Sequence, residues 1–425
     1  MKLRAMALAA ACAAAACGRP VPGGPNVLLV IIDTVRSDHL GCYGYSRNTT
    51  PSLDSLASRG TLFLNTMSQS PWTIPSTASI FTGLTPAVHR VGMIDGVIYG
   101  LDPALPTAST LMSDAGYATF GEFSVAWLRA EMGFDTGFDH FHCYSDHRSH
   151  CGEIVDSLAA WIDSLPAGRP WFAIIHFYEP HDPYAPHQPY DTLFAGRTPP
   201  PFQGDSIWLL DDSERLIEPL QREALEIRYD GELRQVDDSL SRLFGFLRAG
   251  GHAGNTLVIV TADHGEEFLD HGGTGHGRTF YQEILSVPLI LSGPGIPRAG
   301  KRRDLAAGID ILPTILETAG IPLPDFLEGV SLLGPAPDRA VPASSPKDGN
   351  MVCIGRGMQR QIWDPADGSV SRFDLTTDPD ELNPLPADST MMDDLGEYRA
   401  RTPLGNPAAT PEGELDNSLR DLGYI

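Results

Sequence analysis

Asn26-Val-Leu-Leu-Val-Ile-Ile32 is an unbroken apolar run that ends abruptly on Asp33-Thr34-Val35-Arg36-Ser37-Asp38-His39. So short and β-branched a run reads as a strand covered on both faces, as in a parallel sheet between helical layers. Three similar runs follow, Trp171–Phe177 (WFAIIHF), 256–261 (TLVIVT) and 287–291 (VPLIL). Helical patterns separate them at Pro51–Arg59, 107–115, 153–165, 221–249 and 311–319. The alternation predicts an α/β/α sandwich around a mostly parallel mixed sheet over residues 26–334. In such sheets ligands bind beyond the carboxyl ends of the strands. A carboxylate placed there, as Asp33 is, is costly unless it is paired or binds a cation.

The rest of the chain is consistent with a globular, exported protein. Its 425 residues are 42% hydrophobic and carry 30 Lys+Arg against 54 Asp+Glu, a net charge of −24. That balance excludes general disorder and argues against nucleic acid as a partner, since phosphate backbones are met by excess Lys and Arg. An anionic substrate would need a local cation to offset the field. Residues 1–17 (MKLRAMALAAACAAAAC) join a basic start to an apolar stretch too short to span a bilayer, the form of a secretory signal. Its end at Cys17 resembles a lipoprotein signal, which would place the protein in the periplasm or cell envelope with membrane contact only through a lipid anchor. Residues 18–25 then form a linker. In an oxidising compartment, Cys143 and Cys151, which bracket a His-rich loop, read as a local disulfide or a plain polar loop in preference to a metal site. Residues 335–425 alternate like a β-meander and end in an acidic tail, which predicts a small C-terminal α+β subdomain. Pro- and Tyr-rich residues 180–220 read as a lid across one end.

Polar residues collect after the strands. Asp263 and His264 follow TLVIVT as Asp33 follows NVLLVII, and carboxylates beside an imidazole suit one divalent ion, Ca, Mn, Mg or Zn. Between these segments lies Ser70-Pro-Trp-Thr73-Ile-Pro75-Ser-Thr77-Ala-Ser-Ile-Phe-Thr-Gly83. Pro75 suits the first turn of a helix, so Thr73 falls at or just before a helix N-terminus. There it is either a cap or a hydroxyl that a nearby metal could hold as an alkoxide. His181 reads as a lid histidine or a site residue, and His276, in Gly-His-Gly-Arg, as a turn or a site residue. Arg36, Thr77 and His271 are candidates for supporting positions, with Glu266 and Asp270 close by. His39 and His89 read as ordinary structural histidines.

In order and spelling these segments resemble the sulfatase branch of the alkaline phosphatase superfamily over most of residues 26–425. NVLLVIIDTVRSDHLGCYGY and TPSLDSLASRGTLF resemble the family's first metal strand and first helix. The 73–83 run matches the nucleophile signature, and HFYEPHDPYAP the segment with the active-site histidine, here His181. TADHGEEFLDHGG with GHG resembles the second metal segment; EILSVPLILSGPG, DILPTILETAGI and FDLTTDPDELN resemble later landmarks. The resemblance implies a metal-dependent sulfuric or phosphoric ester hydrolase acting on a small-molecule, glycan or lipid ester.

The departures redirect that expectation. Active sulfatases carry a formylglycine made from Cys or Ser, whereas this chain has Thr73. The signature Arg is Thr77, the usual second Asp is Thr34, and the lysine-containing segment reads Tyr117-Ala-Thr-Phe-Gly-Glu-Phe123. A Thr nucleophile on a metal is the arrangement of the phosphate-ester and phosphotransfer branches. The resemblance therefore implies Asp33, Thr73, Asp263 and His264 around one ion, with His181 and His276 on the transferring group or leaving oxygen. A two-ion variant would draw on His181, Asp182, His271 and His276. The alternative function is a catalytically silent binding protein that keeps the fold at the cell envelope.

Overall fold

The computed structural model describes residues 23–94, 97–145, 150–195, 219–345 and 351–404. The signal with Cys17, the lid beyond residue 195, His147 and the final acidic run lie outside the described residues. The predicted first strand is present with its predicted bounds. Asn26–Ile32 (β1) is joined in one sheet by Thr61–Phe63 (β2), Ala118–Phe123 (β3), His140–Cys143 (β4), Trp171–Phe177 (β5), Thr256–Ala262 (β6), Leu289–Ser292 (β7) and Gly300–Arg302 (β8). The order is β8-β2-β7-β6-β1-β5-β3-β4. β1 pairs in parallel with both β5 and β6, whereas β7 runs antiparallel to its neighbours β6 and β2. The strand expected from residue 287 starts two residues later. Pro288 has no N–H to give to a ladder, which explains the delay.

Side-chain parity divides this sheet into two cores. Leu28, Val30 and Ile32 pack with Pro51–Arg59 (α1), Cys151–Ser164 (α4) and Pro219–Ala249 (α5). Val27, Leu29 and Ile31 pack with Ile74, Ala78 and Phe81 of Thr73–Thr82 (α2), Met112 of Ala108–Asp114 (α3) and Ile311–Thr318 (α6). The α/β/α sandwich is therefore present as expected, and odd-numbered β1 residues face the layer that carries Thr73.

The termini of these helices have local causes. Thr107 and Thr110 form a reciprocal cap at the start of α3. Asp237 of α5 accepts from the Ser52 and Leu53 amides at 2.9 Å, capping α1 from another helix. Val341–Ser344 (β9), Val352–Arg356 (β10), Gln359–Trp363 (β11) and Val370–Asp374 (β12) form the antiparallel meander read from the sequence. Ser389–Arg399 (α7) covers it through Met391, Leu395 and Tyr398. The meander shares an apolar cluster with Met67, Phe280, Ile284 and Leu285 of the main body.

No disulfide joins Cys143 and Cys151, so of the two readings of this segment the local disulfide is not formed. Cys143 ends β4 and contacts the Val125 carbonyl, while Cys151 begins α4 and accepts from the Ser239 hydroxyl at 3.2 Å. Each thiol already has its own packing environment.

His89 is structural, as its setting suggests. Its Nδ1 accepts from the Val91 amide at 2.9 Å and its Nε2 lies 3.0 Å from the Ser79 hydroxyl on α2. Burial pushes its pKa down to about 3. The unfolded chain binds a proton at His89 between about pH 3 and pH 6.5 that the folded chain does not, so stability from this group falls as pH drops through that window. Urea unfolding of His89→Gln should show a shallower decline from pH 6.5 to 4, by up to about 1.4 kcal/mol per pH unit. An unchanged slope would show that His89 is not held neutral.

Candidate active site

The register of the central strands assembles the site. Ile32 pairs with Ala262, so the next residues, Asp33 and Asp263, leave β1 and β6 side by side. Ile31 pairs with His176 of β5, and parity puts His176 on the same face as Asp33. Asp33, His176 and Asp263 are all buried, and one ligand atom from each lies within 4.8 Å of the others. His176 was not foreseen as a site residue. Inside WFAIIHF it reads as one polar residue of a buried strand, and only the strand pairing reveals which way it faces.

The turn after β1 is strained and tied down. Thr34 has φ 55°, a left-handed conformation that a β-branched residue rarely adopts. Its amide donates to Asp263 Oδ1 at 3.3 Å, and its carbonyl accepts from the Tyr229 hydroxyl of α5 at 2.9 Å. The same hydroxyl accepts from the Arg36 amide at 2.9 Å.

Thr73 is the first residue of α2 and is buried. Its Oγ1 lies 3.3 Å from His264 Nε2. The His264 Nε2 in turn lies 3.6 Å from Asp33 Oδ1 and 3.5 Å from Asp263 Oδ2. His264 Nδ1 is 2.9 Å from the Gly265 carbonyl, which fixes the tautomer and leaves Nε2 as the acceptor facing the carboxylates. Ser76 of α2 donates to the Asp263 carbonyl at 2.5 Å, and Ser68 donates to the same oxygen. The helix start is thereby locked to the end of β6.

The other candidates separate. His276 Nδ1 is 2.9 Å from Glu266 Oε1, and its ring lies 4.4 Å from that of His264 and 4.9 Å from that of His181. Glu266 Oε2 accepts from the Tyr184 hydroxyl at 2.9 Å. His181 stacks on Tyr178, with its Nδ1 2.6 Å from the Asp182 carbonyl. Arg36 spends its guanidinium on Asp38, Asp270 and the Glu266 carbonyl, so it braces the Glu266 segment. His271 is elsewhere: its ring stacks on Tyr281, Nδ1 meets Glu283 at 2.7 Å and Nε2 faces the Glu381 carbonyl. The short hairpin of Glu267–Phe268 with Thr274–Gly275 carries it toward the C-terminal meander. That removes it from the supporting set and from the two-ion set. Thr77 is buried one turn beyond Thr73.

Electrostatics makes the cluster unusual. Burial, then Asp263 and Glu266, holds the Asp33 carboxyl well above its ordinary range. Burial raises Glu266 to about 8 and pushes His176 down to about 4, its neutral, ligating form. Both Asp33 oxygens, Asp263 Oδ2 and both His176 ring nitrogens lack a hydrogen-bond partner among the described residues. Buried acceptors of this kind without donors are costly, and a divalent cation is what two carboxylates and imidazole nitrogens fit.

Comparison with known proteins agrees with this fold. A family profile described as sulfatase matches residues 25–321. An arylsulfatase from Clostridium perfringens is 26% identical, covering 94% of this chain and 98% of that protein. A Δ4,5-hexuronate-2-O-sulfatase from Bacteroides thetaiotaomicron is also 26% identical, over 88% and 87%. Among solved structures, the phosphonate monoester hydrolase of Agrobacterium radiobacter shares the fold with a TM-score of 0.73 at 20% identity, covering 91% of this chain and all of that one. Divalent metal binding is typical of this superfamily. The chain belongs to the sulfatase family, and with it to the sulfuric and phosphoric ester hydrolases.

Proposed function

We propose that the protein is a metal-dependent phosphate-ester hydrolase or phosphotransferase in which Thr73 is the nucleophile. The observation that carries this reading is the placing of Thr73 Oγ1 at the N-terminus of α2, 3.3 Å from His264 Nε2 and beside two buried carboxylates. Asp33, Asp263, His264 and Thr73 would hold one divalent ion, with His176 as a further ligand that the sequence reading lacked. The ion supplies Lewis acidity for the nucleophile and for the charge developing on the transferring group.

The chain's own groups do the rest. The helix N-terminus favours the alkoxide of Thr73, whose hydroxyl proton would pass to water; the oxygen would attack phosphorus in line as the bond to the leaving oxygen breaks, giving a phospho-threonine. Glu266 engages His276 Nδ1, and the His276 side chain would give a proton to the leaving oxygen. The same side chain would take a proton from the water or acceptor alcohol that later resolves the phospho-threonine. His181, whose Nδ1 faces the Asp182 carbonyl, would contact a non-bridging oxygen of the transferring group. Formylglycine chemistry is disfavoured because it needs Cys or Ser where this chain has Thr73.

The export signal at residues 1–17, lipidation at Cys17, the lid and the division near residue 334 remain part of this proposal: an envelope enzyme acting on a small-molecule, glycan or lipid ester. The hexuronate sulfatase among the relatives supports a glycan as one substrate type.

With Mn, Zn, Mg or Ca and aryl phosphate, phosphodiester and sulfate substrates, Thr73→Ala should lose at least about 10³-fold in turnover. Thr73→Ser should retain part of it, and mass spectrometry of trapped enzyme should place a phosphate on Thr73. Turnover that survives the alanine change would remove Thr73 as nucleophile.

A second prediction concerns the ion and has a sign. In the absence of metal, Asp33→Asn should raise Tm, because it relieves the repulsion with Asp263. With metal at about 100 Kd the wild type should gain about 2.7 kcal/mol and the variant much less. A variant stabilised by metal as strongly as the wild type would show that Asp33 is not a ligand.

A further inference from the structure

We propose that Glu381, on the loop that follows β12, is a positioning residue for the active site: it holds in place the helical turn Gln282–Leu285, on which the backbone of His264 to Glu266 rests. It rests on the reading above that His264 and Glu266 serve the reaction, and adds a residue that acts on them through the backbone.

The turn Gln282–Leu285 is a common support of the site-bearing segments. Its Glu283 and Ile284 carbonyls accept from the Glu266 and Gly265 amides at 3.0 and 2.7 Å. The approach is close: a Cβ added to Gly265 would collide with the Glu283 carbonyl oxygen, so only glycine fits there without moving backbone. The Leu285 carbonyl accepts from the Ser68 amide at 2.9 Å, and Ser68 is one of the two serines that tie α2 to the Asp263 carbonyl. The next carbonyl, Ser286, accepts from the Ser37 amide at 3.4 Å, beyond the turn that follows β1. The segments that carry Asp33, Thr73 and His264 therefore meet on Glu283 to Ser286.

Glu381 secures the open end of that turn. The Gln282 amide, one of the donors that a helix start leaves without an internal partner, donates to Glu381 Oε2 at 2.7 Å. His271 Nε2 lies 3.4 Å from the Glu381 carbonyl, which ties the same residue to the hairpin after Glu266. This placing is costly. Glu381 is 2% exposed, whereas every other residue from 376 to 390 is exposed or half-buried. Its φ of 50° is left-handed, and burial pushes its carboxyl up to about 7. Asp378 accepts from the Leu382 and Asn383 amides at 3.2 and 2.9 Å and closes the turn that carries Glu381 inward. Docking of the meander has its own source, the apolar cluster of Met67, Ile284 and Leu285 with Val341, Ile362 and Phe373. What the strained, buried carboxylate adds to that interface is the hold on the Gln282 amide.

The test compares Glu381→Ala, Glu381→Gln and Thr107→Ala in the full chain. The Gln variant keeps an oxygen that can accept from the Gln282 amide, and Thr107→Ala removes a helix cap elsewhere in the fold. Hydrogen exchange of the metal-free protein, read by mass spectrometry on peptides spanning residues 263–268, should be at least about fivefold faster in Glu381→Ala than in the wild type. With metal and the aryl esters above, kcat should fall about tenfold in the same variant while KM changes less. Glu381→Gln and Thr107→Ala should stay within about twofold of the wild type in both readouts. Wild-type exchange or wild-type kcat in Glu381→Ala would overturn the proposal, as would equal losses in Thr107→Ala or a Gln variant as impaired as the Ala variant. If Glu381→Ala does not fold, Glu381→Asp, whose shorter side chain draws the carboxylate back from the amide, takes its place and must show both changes. Turnover lost in Thr73→Ala but unchanged in Glu381→Ala would refute the positioning role alone. Turnover that survives Thr73→Ala and falls in Glu381→Ala would refute the nucleophile alone. Where none of the esters turns over, exchange decides, and equal rates in the wild type and Glu381→Ala would overturn the proposal.

Discussion

Two carboxylates, Asp33 and Asp263, lie fully buried at the ends of adjacent parallel strands, and the surrounding structure is arranged around their mutual repulsion. Strand register forces them together, because the ladder that pairs Ile32 with Ala262 leaves the following residues no separate exits. Both cannot be charged in a dry site without compensation. The neighbours supply part of it. The Thr34 and His264 amides donate to Asp263 Oδ1, and two imidazoles turn nitrogens toward the pair. The oxygens still left without donors mark the place where a divalent cation would fit, so the possible metal site follows from the fold.

That constraint propagates outward. The turn that delivers Asp33 adopts a left-handed φ at Thr34, at a cost of order 1–3 kcal/mol. It persists because Tyr229 of α5 bonds to both sides of it, so a helix on the far face of the sheet holds the near-face geometry. On the other side, Ser68 and Ser76 converge on the Asp263 carbonyl and fix α2 over the strand ends. Thr73 is thus positioned by strand parity, by the helix start and by two serine hydroxyls. His89 at Ser79 anchors the same helix further along.

Much of this was legible in the sequence, and the rest was not for definable reasons. A polar residue directly after an apolar strand announces itself, so Asp33, Asp263 and His264 could be read locally. Pro75 located the start of α2 and with it Thr73. His176 could not be read this way, because its orientation depends on pairing with a strand more than a hundred residues away. His271 was misleading for the opposite reason: closeness in sequence to His264 does not survive the hairpin that intervenes. The Cys143–Cys151 bridge, one of two readings beside a plain polar loop, rested on compartment and spacing, whereas the thiols pack against Val125 and Ser239.

On the proposed reading, histidines let a site without the signature Arg and Lys handle an anion. A permanently charged side chain beside Asp33 and Asp263 would compete with the ion for those carboxylates. Histidine avoids that competition, since its charge depends on its partner. Burial keeps His176 in its neutral, ligating form, and a backbone carbonyl fixes the tautomer that turns His264 Nε2 to the carboxylates. His276 Nδ1 faces Glu266 Oε1 instead. On the proposed reading, one residue type takes the opposing roles of ligand and proton carrier within a few ångströms. What separates the roles is the atom that each Nδ1 faces, a distinction that belongs to the fold and is absent from the residue name.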